Sequence, residues 1–356
     1  MLLTAHLSYA AVNQRGLAMK VFKKIVSVII VAAVLADVAA SFLIYDLAIA
    51  RSKKDFLLQN ASIRQSLPSS VEVTATGNAS VGTELGFNSS DISNSQSIDQ
   101  IDWFNKKTYE EVSITSDDGL KLKGYFLKAK NPTSKTVILA HGYSSQGTFM
   151  APYAEFYYEK FGYNVLMPDD RGHGDSEGDY TGFGWVDRKD YLKWIDYVIN
   201  RIGPASQIVL HGVSMGGATV LMTSGENLPG NVKAIVSDCA YTSIKDELEY
   251  QLKKMYNLPS FPILDSASLL TKIRAGYFLE EGSSLEQVKK SKTPTLFIHG
   301  TADRFVPFYM VTELYEACSS QKELFTVLNA GHGAAYSTDP DGYISKVSEF
   351  IGKFVD

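Results

Sequence analysis

Residues 211–217 read HGVSMGG, placing Ser214 midway between Gly212 and Gly216. The residues on either side decide how this stretch is read. QIVLHG, from Gln207, is a short aliphatic run of strand character, and GGATVLMT, from Gly216, opens a helix. A serine on a strand-to-helix turn adopts a strained backbone that brings its neighbours close, so the residues two before and two after must be small. Gly212 and Gly216 meet that demand. The following helix also aims the partial positive charge of its N-terminus at the turn. G-x-S-x-G is common by chance, but between a strand and a helix it marks Ser214 as a candidate nucleophile.

Similar aliphatic runs recur along the chain and end in Gly or Asp: TVILAHG, YNVLMPDDRG, KAIVSD, TPTLFIHG and ELFTVLNAG. Helical stretches such as DYLKWIDYVINRI separate them. Buried strands alternating with helices predict an α/β fold, a mostly parallel central sheet with helices on both faces. Ahead of these runs, YEEVSITSDDG and LKLKGYFLKAK flank Asp118-Gly119 as an antiparallel hairpin. In such a sheet the ligand site lies beyond the carboxyl ends of the strands.

A serine hydroxyl needs a base, and the base needs an orienting carboxylate. His332, on a glycine-flanked loop after the last strand, is the expected base. Two acids compete: Asp303 in HGTADRFVP, and Asp238 at the end of KAIVSD. Asp303 is favoured because its loop, with Gly300, Val306 and Pro307, can present a fixed carboxylate. An oxyanion hole needs two backbone N–H groups. Met215, directly after the serine, and Tyr143, on the loop after TVILAHG, are the expected donors. His141, His211 and His299 read as packed structural residues. Asp169, Asp170, His173 and Asp175 in DDRGHGDSEG suit a hydrogen-bonded loop better than a metal site. No metal and no cofactor is expected.

Between KAIVSD and TPTLFIHG lie about 54 residues in which Ile244, Leu248 and Leu252 recur at helical spacing. A helical lid is expected over about 240–282. Ser283 and Glu286 then make a capping box that opens a helix of the ordinary scaffold. Tyr241, Leu248, Tyr250, Leu252, Met255, Tyr256, Leu258, Phe261, Leu264 and Phe278 give this interval enough apolar surface to pack a lid and line an acyl pocket.

The N-terminus is of another kind. Ile25–Leu47 reads IVSVIIVAAVLADVAASFLIYDL, 23 mostly apolar residues, enough to span a hydrocarbon core despite Asp37 near its middle. The run exceeds a signal-peptide core, and Arg51, Lys53 and Lys54 follow it. An uncleaved transmembrane signal-anchor is the favoured reading over cleavage after VAA or a buried core helix. Residues 1–24 then form a cytoplasmic tail, and the slight excess of preceding cations puts the bulk of the chain outside the cell. Met19-Lys20 would begin a tidier anchor, with 1–18 as an upstream extension. Residues 48–100, rich in Ser, Asn, Gln, Thr and Gly, read as a polar spacer, and 101–356 as the catalytic domain. A chain beginning near Ile101 is expected to be soluble and active.

Composition agrees with a globular body: 45% hydrophobic and 21% charged over 356 residues. A net charge of -5 gives no reason to expect nucleic acid as a partner. Cys239 and Cys318 lie far apart and form neither a disulfide framework nor a metal motif.

Taken in order, HGYSSQG, RGHGDSEG, HGVSMGG, HGTADRFVP and GHG resemble the α/β-hydrolase superfamily over about residues 105–356. The order Ser214, Asp303, His332 is that family's order. The chain is most similar to membrane-anchored hydrolases of Gram-positive bacteria, of the serine aminopeptidase-like and esterase branches. Ser214 excludes the branches that use an aspartate nucleophile. The resemblance implies an acyl-enzyme mechanism on a carboxylic ester, with a peptide or amide substrate as the alternative. A non-catalytic binding protein on the same fold is the competing class. Expected partners are a small acyl ester or short peptide and, through the anchor, membrane lipid.

Overall fold

The computed structural model of the chain describes residues 2–51 and 103–356; the expected spacer beyond Arg51 lies outside the described residues. The strands form where the aliphatic runs predict them. They are β1 (Glu110–Thr115), β2 (Lys121–Leu127), β3 (Lys135–Ala140), β4 (Asn164–Pro168), β5 (Gln207–Val213), β6 (Val232–Asp238), β7 (Thr295–Gly300) and β8 (Lys322–Val327). They build one eight-stranded sheet in the order β1-β2-β4-β3-β5-β6-β7-β8. β2 pairs antiparallel with β1 and with β4, and every later pairing is parallel. The fold is that of an α/β hydrolase.

Side chains alternate along each strand, so both faces of the sheet are buried. On β3, Ile138 and Ala140 join one core, together with Leu166, Leu210, Ile235 and Phe297. Val137 and Leu139 join the other, with Val165, Val209, Val236 and Leu296. Each such side chain contributes about 1.5–3 kcal/mol of burial, which fixes the register of the loops at the carboxyl ends.

Among the covering helices, α2 (Ala151–Glu159), α3 (Asp187–Ile202) and α4 (Met215–Ser224) follow β3, β4 and β5. The interval expected to form a lid folds as two helices, α5 (Ile244–Tyr256) and α6 (Ile263–Ala275). Ser243 caps α5 by accepting from the Asp246 N–H. The predicted capping serine, Ser283, accepts from the Glu286 N–H at the start of α7 (Ser284–Val288). After β7 come α8 (Tyr309–Ala317), α9 (Ala335–Thr338) and α10 (Pro340–Ile351).

The N-terminal helix α1 (Leu2–Ile44) continues into a wider π turn over Tyr45–Ile49. Met19–Ile49 is long and apolar enough to cross a membrane. Its end differs from the sequence expectation. Residues 48–51, expected to begin a spacer, are built into the catalytic body. Tyr45 and Ile49 are buried in the core, and the Ile49 carbonyl accepts from the Thr181 N–H at 2.7 Å. The Arg51 guanidinium donates to the carbonyls of Gly174, Ser176 and Gly178, closing the loop that follows β4. The cations after the apolar run looked like a membrane flank, but Arg51 is occupied by protein carbonyls.

Candidate active site

β5 ends at Val213 and α4 begins at Met215, so Ser214 alone makes the turn, with φ 58 and ψ −119. Its N–H donates to the Asp238 carbonyl at 2.8 Å, which holds the strained residue in place. The flanking glycines are required by close approach. A Cβ on Gly212 would lie 2.0 Å from the Gly216 carbonyl oxygen, and one on Gly216 would lie 2.1 Å from that of Ala140. Any side chain at either position would push β5, α4 and β3 apart.

The three residues taken from distant parts of the sequence meet here. Ser214 Oγ is 2.7 Å from His332 Nε2, and His332 Nδ1 is 2.8 Å from Asp303 Oδ2. An ionised carboxylate only accepts, so Nδ1 carries the imidazole proton and Nε2 is left as the acceptor for the serine hydroxyl. The other oxygen, Asp303 Oδ1, accepts from the N–H groups of Phe305 and Val306 at 2.8 and 3.0 Å. Burial alone would raise the Asp303 pKa; hydrogen bonds from His299 and His332 outweigh it and hold the carboxyl well below the usual carboxylate range. The Phe305 ring lies 4.9 Å from the His332 ring and shields one side of it.

Asp238, the competing acid, sits at the end of β6 on a different network. Its Oδ2 accepts from the Tyr343 hydroxyl at 3.1 Å, and burial pushes its pKa up to about 6. It contributes to the turn through its carbonyl, which holds Ser214 N–H.

Met215 is the first residue of α4, so its N–H has no acceptor within the helix. Gly142 lies against Ser214, since a Cβ on it would be 3.6 Å from the Ser214 Cβ, and Tyr143 follows on the same loop. The Tyr143 ring stacks on Phe183 at 5.4 Å, and its hydroxyl donates to the carbonyls of Leu47 and Ala48 at 3.1 and 3.0 Å. The loop expected to carry the second oxyanion donor is thus braced by the end of the N-terminal helix. Sequence reading missed this brace, because nothing in YDLAIAR marks it as a contact to residue 143.

The histidines expected to be structural, His141, His211 and His299, are packed. His141 Nε2 accepts from the Asp170 N–H at 3.0 Å, so its Nδ1 donates to the Gly142 carbonyl at 2.8 Å. His211 lies between the hydroxyls of Tyr157 and Tyr343. His299 Nε2 faces two acceptors, the Val306 carbonyl at 2.9 Å and Asp303 Oδ2 at 3.3 Å, and so carries a proton that both share. This second donor to Asp303 also escaped sequence reading; its only trace is the four-residue spacing. In the loop after β4, Asp169 accepts from the N–H groups of Gly147 and Asp175, both at 2.7 Å. Asp170 accepts from the Tyr191 hydroxyl, and Arg171 spans Asp190 and Asp118. These carboxylates serve as hydrogen-bond acceptors within the protein.

Cys239, Asp303 and His332 bring their ligand atoms within 4.8 Å of one another. Burial raises the Cys239 thiol pKa well above its ordinary value, and the other two residues are joined to Ser214 in the relay. A separate depression lined by Asp246, Glu249, Tyr250, Leu258, Tyr309 and Glu313 includes none of the three residues of the relay. Of the lid residues expected to line a pocket, Tyr241, Leu252 and Leu264 pack the interior, while Tyr256, Leu258, Phe261 and Phe278 are exposed.

The chain is similar to known proteins over this same region. YqkD of Bacillus subtilis is 32% identical over 243 residues, 68% of this chain and 79% of that one. A protein of Saccharomyces cerevisiae, named an uncharacterized membrane protein, is 28% identical over 250 residues, again 68% of this chain and 79% of the relative. Among solved structures, an esterase from Pyrococcus furiosus superposes with a TM-score of 0.58 at 26% identity, covering 80% of this chain and 98% of that one. Residues 149–356, which include the turn at Ser214 and the loops of Asp303 and His332, match the prolyl oligopeptidase family, and the chain belongs to that family of α/β hydrolases.

Proposed function

We propose that this protein is a membrane-anchored serine hydrolase that cleaves carboxylic esters through an acyl-enzyme. The observation that carries this reading is the unbroken hydrogen-bond relay from Ser214 through His332 to Asp303. His332 Nε2 takes the hydroxyl proton as Ser214 Oγ attacks the ester carbonyl. Asp303, held ionised, stabilises the resulting imidazolium. The amides of Met215 and Tyr143 receive the oxyanion, and His332 returns the proton to the leaving alcohol. Water then enters by the same route and releases the acid.

The domain plan is a cytoplasmic tail at 1–24, an anchor from residue 25 whose end, through Arg51, is built into the catalytic body, a spacer from there to residue 100, and the catalytic domain at 101–356 with its lid at about 240–282. The reading places the protein in the cell membrane as a single-pass chain with the catalytic domain outside. The esterase from Pyrococcus furiosus supports an ester substrate. The name of the prolyl oligopeptidase family supports the second reading, a peptidase. A series of p-nitrophenyl esters run beside aminoacyl-p-nitroanilides separates the two. On the ester reading kcat/KM climbs with acyl length, by up to about 0.8 kcal/mol per methylene, until the pocket is full. Preferential cleavage of the anilides would move the protein to the peptidase reading.

A further inference from the structure

The end of α1 and the lid helix α6 lie side by side. Asp37 Oδ2 accepts from the Ser266 hydroxyl at 2.5 Å, and nine residues on, Asp46 pairs with Arg274 at 3.5 Å. The matching interval on α6 is eight residues, so the two helices run parallel. The start of α6 therefore points the way the start of α1 points, toward the membrane. The α5–α6 connection and the exposed stripe of α6 carry Leu258, Phe261 (75% exposed), Leu269 and Ile273 (73% exposed), all facing outward, with one charged interruption at Asp265, which pairs with Lys245 at 3.4 Å. Phe42, Leu43 and Leu47 on the end of α1 are exposed as well. At the far end of this contact the Arg274 guanidinium lies over the rings of Phe42 and Tyr45, an arrangement of cation and aromatics suited to the headgroup level.

Helix length decides where this surface sits. Lys20, Lys23 and Lys24 mark the polar boundary at the start of the span. From Ile25 to Ala36, before α1 meets the lid at Asp37, only 12 residues are available. They rise about 18 Å, against a hydrocarbon core of about 30 Å. With the lysines at the polar boundary, the rest of the span comes from the stretch that carries α6 alongside it. Counted from Met19, where the apolar stretch begins, the free segment rises about 27 Å and the remainder is smaller. Tilting α1 would make the shortfall larger.

We propose that the lid edge formed by Leu258, Phe261, Leu269 and Ile273 is seated in the bilayer that holds α1, and that the site draws its acyl substrate from that bilayer. The second half rests on the hydrolase reading above. The lid and the anchor both reach the reactive residues. Gln251 on α5 donates to the carbonyl of Phe305, which lies against His332, and the anchor end holds Tyr143. On this proposal the acyl chain travels along the lid edge toward Ser214, with its polar ester group at the headgroup level.

The test uses the full chain in vesicles of phosphatidylcholine and phosphatidylglycerol. Environment-sensitive labels on Phe261→Cys, Ile273→Cys and, as a control, Lys292→Cys are quenched with brominated lipids. Seating predicts strong quenching at 261, weaker at 273 and none at 292; absence of quenching at both lid positions overturns the proposal. In the activity arm, the combined Leu269→Glu and Ile273→Glu variant is compared on two fluorogenic esters. Hydrolysis of vesicle-embedded 4-methylumbelliferyl oleate is expected to fall by about tenfold or more, the scale of converting two apolar contacts to charges. Turnover of soluble 4-methylumbelliferyl butyrate is expected to stay unchanged, and Leu269→Trp with Ile273→Trp to retain both. Quenching with an unaltered ratio of the two rates overturns the substrate half. Failure of the unmodified protein on both esters overturns the hydrolase reading and leaves the seating to be judged by quenching alone.

Discussion

Replacing Asp303 by asparagine exchanges one carboxylate oxygen for an amide nitrogen, and the structure dictates where that nitrogen goes. Oδ1 accepts two backbone N–H groups, from Phe305 and Val306, which can only donate, whereas Oδ2 faces the imidazoles of His332 at 2.8 Å and His299 at 3.3 Å, and the shorter contact can be reversed by a change of tautomer. The carbonyl of the introduced amide must take the Oδ1 site, and its NH2 the Oδ2 site, 2.8 Å from His332 Nδ1. There it donates, so Nδ1 becomes the acceptor and the imidazole proton moves to Nε2. Nε2 is the atom 2.7 Å from Ser214 Oγ, and a protonated Nε2 cannot take the serine proton. The imidazolium also loses its counter-charge. A wrong tautomer in a serine-histidine-aspartate relay costs about 10⁴ in kcat, or about 5 kcal/mol of barrier. The assay is p-nitrophenyl butyrate turnover, with the melting temperature as the check that the fold is intact. Asp238→Asn is the comparison. Its carboxyl meets Tyr343 rather than His332, so kcat should stay within about tenfold while stability falls by about 1–3 kcal/mol. A larger loss of kcat in Asp238→Asn than in Asp303→Asn would reverse the assignment of the acid.

Two further expectations come from parts of the molecule away from the serine. A chain beginning at Ile101 lacks Tyr45, Ile49 and the Arg51 hydrogen bonds. Losing the burial of the first two alone should cost about 3–6 kcal/mol and lower Tm by roughly 6–20 °C, with impaired turnover because Tyr143 loses its brace. Thermal unfolding and ester turnover of the two chains check this; equal stability and activity would show the helix end to be dispensable. Glu247, buried on α5, has one oxygen bonded to Gln251 and the other without a partner among the described residues, and burial pushes its pKa up to about 8. An acid whose folded pKa is raised binds more protons folded than unfolded, so its stabilising contribution is full below about pH 4.5 and is lost as pH rises toward 8. Glu247→Gln should therefore match the parent near pH 4.5 and exceed it increasingly up to about pH 8, by up to a few kcal/mol. A Tm difference that does not change with pH would contradict the burial argument.

Much of the catalytic body was legible in the chain because its signals are local. Each strand is an aliphatic run closed by Gly or Asp, and the serine turn is flagged by two glycines that backbone contacts forbid to be anything else. The base could be picked out by its glycine-flanked loop after the last strand, and the acid by a loop with Gly300, Val306 and Pro307 that can present a fixed carboxylate. What escaped was long-range and carried by ordinary residues. Ala48 and Leu47 hold Tyr143 through carbonyl oxygens, which leave no mark in a sequence. Arg51 follows an apolar run and so reads as a membrane flank, although its guanidinium serves three carbonyls over 120 residues away. His299 reads as a strand-end histidine, and only the structure reveals that it shares a proton with Asp303. The lid aromatics divide between core and surface for the same reason, since helical spacing marks a face but not what covers it.

The most direct trial of the proposed chemistry is labelling of the full chain with a fluorophosphonate, followed by peptide mass mapping. One equivalent of probe on Ser214, abolished in Ser214→Ala along with ester turnover and slowed by about 10³ or more in His332→Ala, is the expected result. Stoichiometric labelling that persists in Ser214→Ala, or turnover that survives it, would contradict a nucleophile at the turn between β5 and α4.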